Sequence, residues 1–162
     1  MIVIIDTDIL SMFAKVDEID LLLALFNQKI FITPKVRDEI SAPLEYGYNF
    51  PLRAISKIQA VPLNESMLRL SERPQENLVL GKGEVESIAY CKVAGCIFAT
   101  NDTKAREFAK AQGVLVISLQ AILRALIRKN LRSKEETREI LEKIKEADNL
   151  VLTRKTIDEI FA

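Results

Sequence analysis

The residues Ile2-Val3-Ile4-Ile5 are all β-branched and apolar, and the run stops abruptly at Asp6. A strand with one wet face alternates apolar and polar residues. A run that is apolar on both faces reads as a central parallel strand, covered on both sides by helices. The remaining sequence supplies such cover. Residues 8–28 carry Ile9, Leu10, Phe13, Ile19, Leu22, Leu23 and Phe26 as a helical apolar stripe. A second strand is expected at 30–32, followed by Thr33-Pro34, a helix N-cap with proline in the first helical position. That helix carries Val36, Glu39 and Ile40 and ends at Pro43, and 44–52 reads as an irregular connection.

Further along, the pattern predicts helices near 52–58 and 64–73, with a weak strand at 59–63 between them. Leu80-Gly81-Lys82-Gly83 then leads to a helix beginning at Glu84, and strands are expected at 96–100 and 114–117. Residues 103–112, 119–130, 133–147 and 153–161 read as helices. Strands and helices alternate throughout, which predicts an α/β fold with a mostly parallel sheet of about five strands. The charge-rich last helices read as a peripheral cap on the same domain.

Composition removes whole classes of chemistry. The chain has no histidine, so imidazole bases, Ser-His-Asp systems and the usual zinc sites are excluded. Cys91 and Cys96 lack metal spacing and read as small buried apolar residues. Lys plus Arg and Asp plus Glu each total 23, so any contact with nucleic acid must come from a local patch. The apolar runs are too short to span a bilayer, and no signal-peptide pattern follows Met1; a cytoplasmic protein with no membrane association is expected.

Placement makes the acids informative. Asp6 and Asp8 stand at the carboxyl end of the first strand, and Asp102 just past the strand ending at Thr100. Ligand sites of open parallel sheets lie at that edge. Glu84 and Glu86 open a helix, and Glu39 sits at the rim of another. Four segments can therefore bring carboxylates together, and such a group needs positive charge or a shared proton. Oxygen donors without nitrogen or sulfur favour Mg²⁺ or Mn²⁺, and a metal-activated water suits phosphodiester hydrolysis. Each acid also has an ordinary role: Asp6 as a strand-end turn former, Asp8 and Asp102 as helix caps, Glu39 as a solvated side chain, and Glu84 and Glu86 as partners of a helix dipole. Glu84 and Glu86 flank Val85, so both reach one ion only through an irregular first turn; Glu84 is favoured.

In order, these segments resemble the PIN-domain family of VapC-type toxins and RNA-processing nucleases. The likeness runs through Ile2–Leu10 (strand-Asp-Thr-Asp-Ile-Leu), Pro34–Ile40 with its helical Glu39, Leu80–Ala89 and Ala99-Thr100-Asn101-Asp102. Gly83-Glu84-Val85-Glu86-Ser87-Ile88-Ala89 is similar to the Gly-Glu-x-Glu-x-Ile-Ala form of one branch. The resemblance implies a three-layer α/β/α sandwich, with a nuclease domain at 1–130 and a helical extension at 131–162. It implies metal held by Asp6, Asp102, Glu39 and Glu84 or Glu86, supported by Asp8 and Thr100, and cleavage of RNA. Asp6 and Asp102 are expected as direct ligands, and Glu39 to hold a ligand water or orient the nucleophile. Lys35, Lys82, Lys104 and Arg106, near the motifs, are the expected phosphate contacts. A small antitoxin and a homodimer are the implied partners.

Two other readings compete. A haloacid-dehalogenase-type phosphatase would use Asp6 as nucleophile, but it predicts a later Gly-Asp or Asp-Asp pair and leaves Glu39 and Glu84 idle. A catalytically silent RNA-binding or assembly module would keep the fold alone. Gly81-Lys82-Gly83-Glu84 lacks the spacing of a phosphate-binding P-loop.

Overall fold

The computed structural model describes residues 1–72 and 79–162. Strands β1 (Val3–Ile5), β2 (Ile30–Phe31), β3 (Ile97–Ala99) and β4 (Leu115–Ile117) form a parallel sheet in the order β2-β1-β3-β4. The apolar run of β1 is explained by its central place. Val3 and Ile5 join one core with Ala99, whereas Ile4 and Phe98 join a second core on the opposite face. This is the two-residue alternation of a pleated strand buried on both sides.

The larger core is covered by α1 (Thr7–Lys15), α2 (Ile19–Leu25), α3 (Pro34–Ser41), α4 (Phe50–Ile55) and three later helices. Those three are α8 (Leu119–Arg128), α9 (Lys134–Asp148) and α10 (Arg154–Ile160). The smaller core is covered by α6 (Lys82–Ala94) and α7 (Thr103–Ala111), whose Ile88, Cys91, Ala105 and Ala109 pack on Ile4 and Phe98. Helix α5 (Glu65–Glu72) lies against α6. The result is the expected three-layer arrangement. Cys91 and Cys96 are free and buried in the second core, where burial pushes both thiols up in pKa. Ile140, Leu141, Ile144, Ile160 and Phe161, all beyond residue 130, are buried in the larger core.

Three expected boundaries change. The helix expected over 8–28 is two helices, because the chain turns at Asp17 with φ 58°. There the amides of Asp17 and Glu18 donate to the carbonyls of Ala14 and Phe13, closing α1 with a Schellman motif. Aspartate tolerates this left-handed conformation better than most residues do. The fifth strand, expected at 59–63, is a single parallel bridge between Ile32 and Ala60. Its ladder cannot extend forward: Thr33-Pro34 turns β2 into α3, and Pro34, whose amide would be the next donor to the Val61 carbonyl, has no amide hydrogen. Part of the irregular stretch is ordered, as a 3₁₀ turn over Ala42–Tyr46 and as α4. The last residue of the helix expected over 64–73 lies outside the described residues. Among those residues, no helix is long and apolar enough to cross a membrane.

Candidate active site

After β1 the chain builds outward to β2, and it later returns to place β3 on the other side of β1. The connections leaving β1 and β3 therefore diverge and open a crevice at their carboxyl ends. Asp6 and Asp102 flank it. The Asp6 amide donates to the Ala99 carbonyl at 2.9 Å, continuing the β1–β3 ladder to the crevice mouth. Asp6 caps α1 by accepting from the Thr7 amide through Oδ1 at 2.7 Å. Its Oδ2 accepts from the hydroxyl of fully buried Thr100, also at 2.7 Å. The same hydroxyl accepts from the Asp102 amide at 3.2 Å. Asp102 in turn caps α7 by accepting from the Ala105 amide at 3.0 Å.

Two helices bring acids from the other side. Glu39, on α3, accepts from the Thr7 hydroxyl through Oε2 at 2.9 Å and from the Gly83 amide through Oε1 at 2.7 Å. Gly83 is required there, since a Cβ at that position would lie 2.3 Å from Glu39 Oε1. Glu84, next along α6, folds back to accept from the Gly81 amide through Oε1 at 2.9 Å. Among the described residues, its Oε2 is buried without a hydrogen-bond partner. Glu86 takes another direction: its Oε1 accepts from the Lys35 amide at 2.8 Å, in the first turn of α3. The structure thus brings Asp6, Asp8, Glu39, Glu84 and Asp102 within electrostatic reach of one another and turns Glu86 toward α3.

The electrostatics reflect that crowding. Burial pushes the Asp6 carboxyl up to about 7; the Thr100 hydroxyl opposes the rise, and Glu84 and Asp8 add to it. Asp8 is raised by burial first, then by Asp148, Asp102 and Glu39, with Lys15 opposing. Glu84 is raised by burial first, eased by the Gly81 amide and raised further by Asp102, Asp8 and Glu39. Desolvation and like charge both disfavour ionised carboxylates, and a divalent cation would relieve both.

The donor set fits a hard divalent ion in chemical type. The orphaned Glu84 Oε2 is a free ligand atom at its edge. Among the described residues, no three acidic, cysteine or histidine side chains are drawn close enough to enclose an ion. Asp6 and Glu39 each accept hydrogen bonds at both oxygens and Asp102 at one, so each is held by the protein's own donors.

The basic residues divide into two groups. Lys35 and Lys82 line a groove of about 450 Å³ together with Leu68, Val85 and Glu86. Lys104 is exposed in the first turn of α7. The Arg106 guanidinium donates to the Thr100 carbonyl at 3.2 Å and so braces the end of β3. Three residues lacked a role in the sequence reading. Thr7, inside the Asp-Thr-Asp motif, bonds Glu39; Gly83, a motif glycine, admits Glu39. Asp148, at the end of α9, is bound by Lys15 at 2.6 Å and adds charge near Asp8. Nothing in its helical surroundings marked it.

The chain matches a family model described as a PIN domain over residues 2–162. No curated protein and no solved structure matches it. With the parallel sheet, the three layers and the acids at the crevice, that match shows that the chain belongs to the PIN-domain family, a nuclease-type fold.

Proposed function

We propose that this chain is a metal-dependent ribonuclease that hydrolyses RNA phosphodiester bonds in the crevice at the ends of β1 and β3. The observation that carries the reading is Asp6, a buried acid pushed up to about 7 with Glu84 and Asp8 among its causes. A carboxylate in that position is costly to a metal-free fold and useful to one that holds a cation. Asp6, Glu84 and Asp102 would hold Mg²⁺ or Mn²⁺, with Asp8 and Thr100 supporting them. The bound ion would supply Lewis acidity and positive charge opposite the charge that develops on the phosphoryl oxygens.

The chain's own groups do the positioning. Two donors, the Thr7 amide and the Thr100 hydroxyl, fix the plane of the Asp6 carboxylate. Glu39, clamped by Thr7 and Gly83, orients the water that attacks phosphorus in line. Lys35 and Lys82 in the groove, with Lys104 and Arg106 beside β3, contact substrate phosphates. Residues 1–130 form the nuclease domain and 131–162 its helical extension. A cytoplasmic toxin paired with a small antitoxin, working as a homodimer, is the cellular setting most consistent with the family.

Purified wild type, Asp6→Asn and Asp102→Asn are to be incubated with labelled single-stranded RNA plus Mg²⁺ or Mn²⁺, and with EDTA. Metal-dependent cutting by wild type alone supports the reading. Equal cutting by the variants overturns the site. Binding of RNA without cutting, under every condition, favours the silent module.

A further inference from the structure

Helix α6 carries two acids of unlike surroundings. Glu84 lies at the crevice with one oxygen unpartnered among the described residues, whereas Glu86 is 5% exposed and accepts from the Lys35 amide. We propose that Glu86 is a positioning residue: it anchors the first turn of α3 and thereby sets Glu39 against Gly83, without itself holding the ion. This inference rests on the proposed reading of the crevice.

The argument follows the bonds. The first-turn amides of a helix have no partner within the helix, and α3 begins Pro34-Lys35. Thr33 accepts only weakly from Val36, at 3.4 Å, so α3 lacks a strong cap of its own. The Glu86 carboxylate, delivered from α6, satisfies the Lys35 amide and places negative charge at the positive end of the α3 dipole. One turn away along each helix, the Gly83 amide of α6 meets the Glu39 carboxylate of α3. The two bonds run in opposite senses: α6 gives an acceptor at Glu86 and a donor at Gly83. Together they fix both the separation of the helices and their sliding. A Cβ at Gly83 would lie 3.0 Å from Val36 Cγ2, so no slack remains between them. Loss of the Glu86 bond frees the start of α3 to swing on the Gly83 contact, and Glu39 moves with it.

A glutamine at 86 keeps the acceptor oxygen, and its amino group can face the groove that Glu86 lines. Three variants separate the roles: Glu86→Gln, Glu86→Ala and Glu84→Gln. Two readouts are needed, Mn²⁺ affinity by calorimetry and, in metal-free protein, exchange of the Gly83 amide by NMR. Glu86→Gln is expected within about threefold of wild type in both. Glu86→Ala is expected to weaken Mn²⁺ by about 10–100-fold, as losing a support of a metal site typically does, and to speed Gly83 exchange at least tenfold. Glu84→Gln is expected to lose Mn²⁺ with Gly83 exchange unchanged. Loss of Mn²⁺ by Glu86→Gln as complete as by Glu84→Gln would make Glu86 a ligand and overturn the proposal. Unchanged Gly83 exchange in Glu86→Ala would overturn it as well. The exchange readout needs no metal, so a wild type that binds no Mn²⁺ would sink the ribonuclease reading while still deciding the fate of this one.

Discussion

The Gly83 amide donates to Glu39 Oε1 at 2.7 Å, and the space a Gly83 side chain would take is the space that carboxylate fills. Gly83→Ala therefore forces Glu39 or the α3–α6 packing to move. We expect RNA cleavage to fall about 10–100-fold. Overpacking should cost roughly 1–3 kcal/mol of stability. Cleavage assays and chemical denaturation of the same preparation check both; unchanged cleavage would remove Glu39 from the proposed machinery.

The metal-free protein should lose stability as pH rises. Asp6 sits at about 7 in the fold against 3.8 as its ordinary value, so between those pH values the native state holds a proton that the unfolded chain releases. Stability is then greatest below the lower value and declines through the upper one, by an amount on the order of a few kcal/mol. The raised Asp8 and Glu84 act in the same direction. In EDTA, melting temperature should drop as pH rises through this window, and Asp6→Asn should flatten that drop and melt above wild type at pH 8. A wild-type curve flat across the window would contradict this.

The Thr100 hydroxyl links two groups: it donates to Asp6 and accepts from the Asp102 amide. Thr100→Val leaves a buried carboxylate oxygen and an amide without that partner, a loss of about 1–3 kcal/mol. Because the hydroxyl favours the ionised form of Asp6, its removal should also shift the acid limb of the pH–rate profile upward. Thr100→Ser should restore both. The profile distinguishes this from simple destabilisation, which would lower the whole curve without moving its limb.

Lys35 and Lys82 share one groove, and each phosphate contact they make should contribute to the salt dependence of RNA binding. Replacing either by alanine should reduce the slope of log affinity against log salt by about 0.7. Titrations in catalytically silent Asp6→Asn protein measure it. A slope identical to the parent's would move the RNA path elsewhere, with Lys104 the next residue to test.

How much of this was legible in the sequence depended on range. Asp6 could be placed because a short, all-apolar, β-branched run reads as a central strand, and the polar residue that ends it stands at the carboxyl edge of the sheet. Thr33-Pro34 announced α3 because capping is settled by neighbours. The break at Asp17 was hidden, since Leu22, Leu23 and Phe26 keep a helical rhythm across it and only backbone geometry shows the turn. Strand pairing at 59–63 failed for a similar reason: composition suggested a strand, but its partner had already turned into α3. Within the crevice, residue identity revealed the acids but not their directions. Glu84 and Glu86 differ by two positions and face different helices, a distinction that belongs to how α3 packs on α6. Asp148 is one acid among many in α9, and only the folding of that helix against α1 gives it significance.

The Asp6–Thr100 bond closes a loop of 94 residues. Contacts so distant along the chain form late, after their closure entropy has been met by other structure. A partly synthesised chain that stops short of β3 has Asp6 but neither Thr100 nor Asp102, and no crevice to hold them. Any activity of the proposed crevice would therefore be withheld from fragments that end before Asp102 and would arrive only once β3 and the start of α7 are part of the chain.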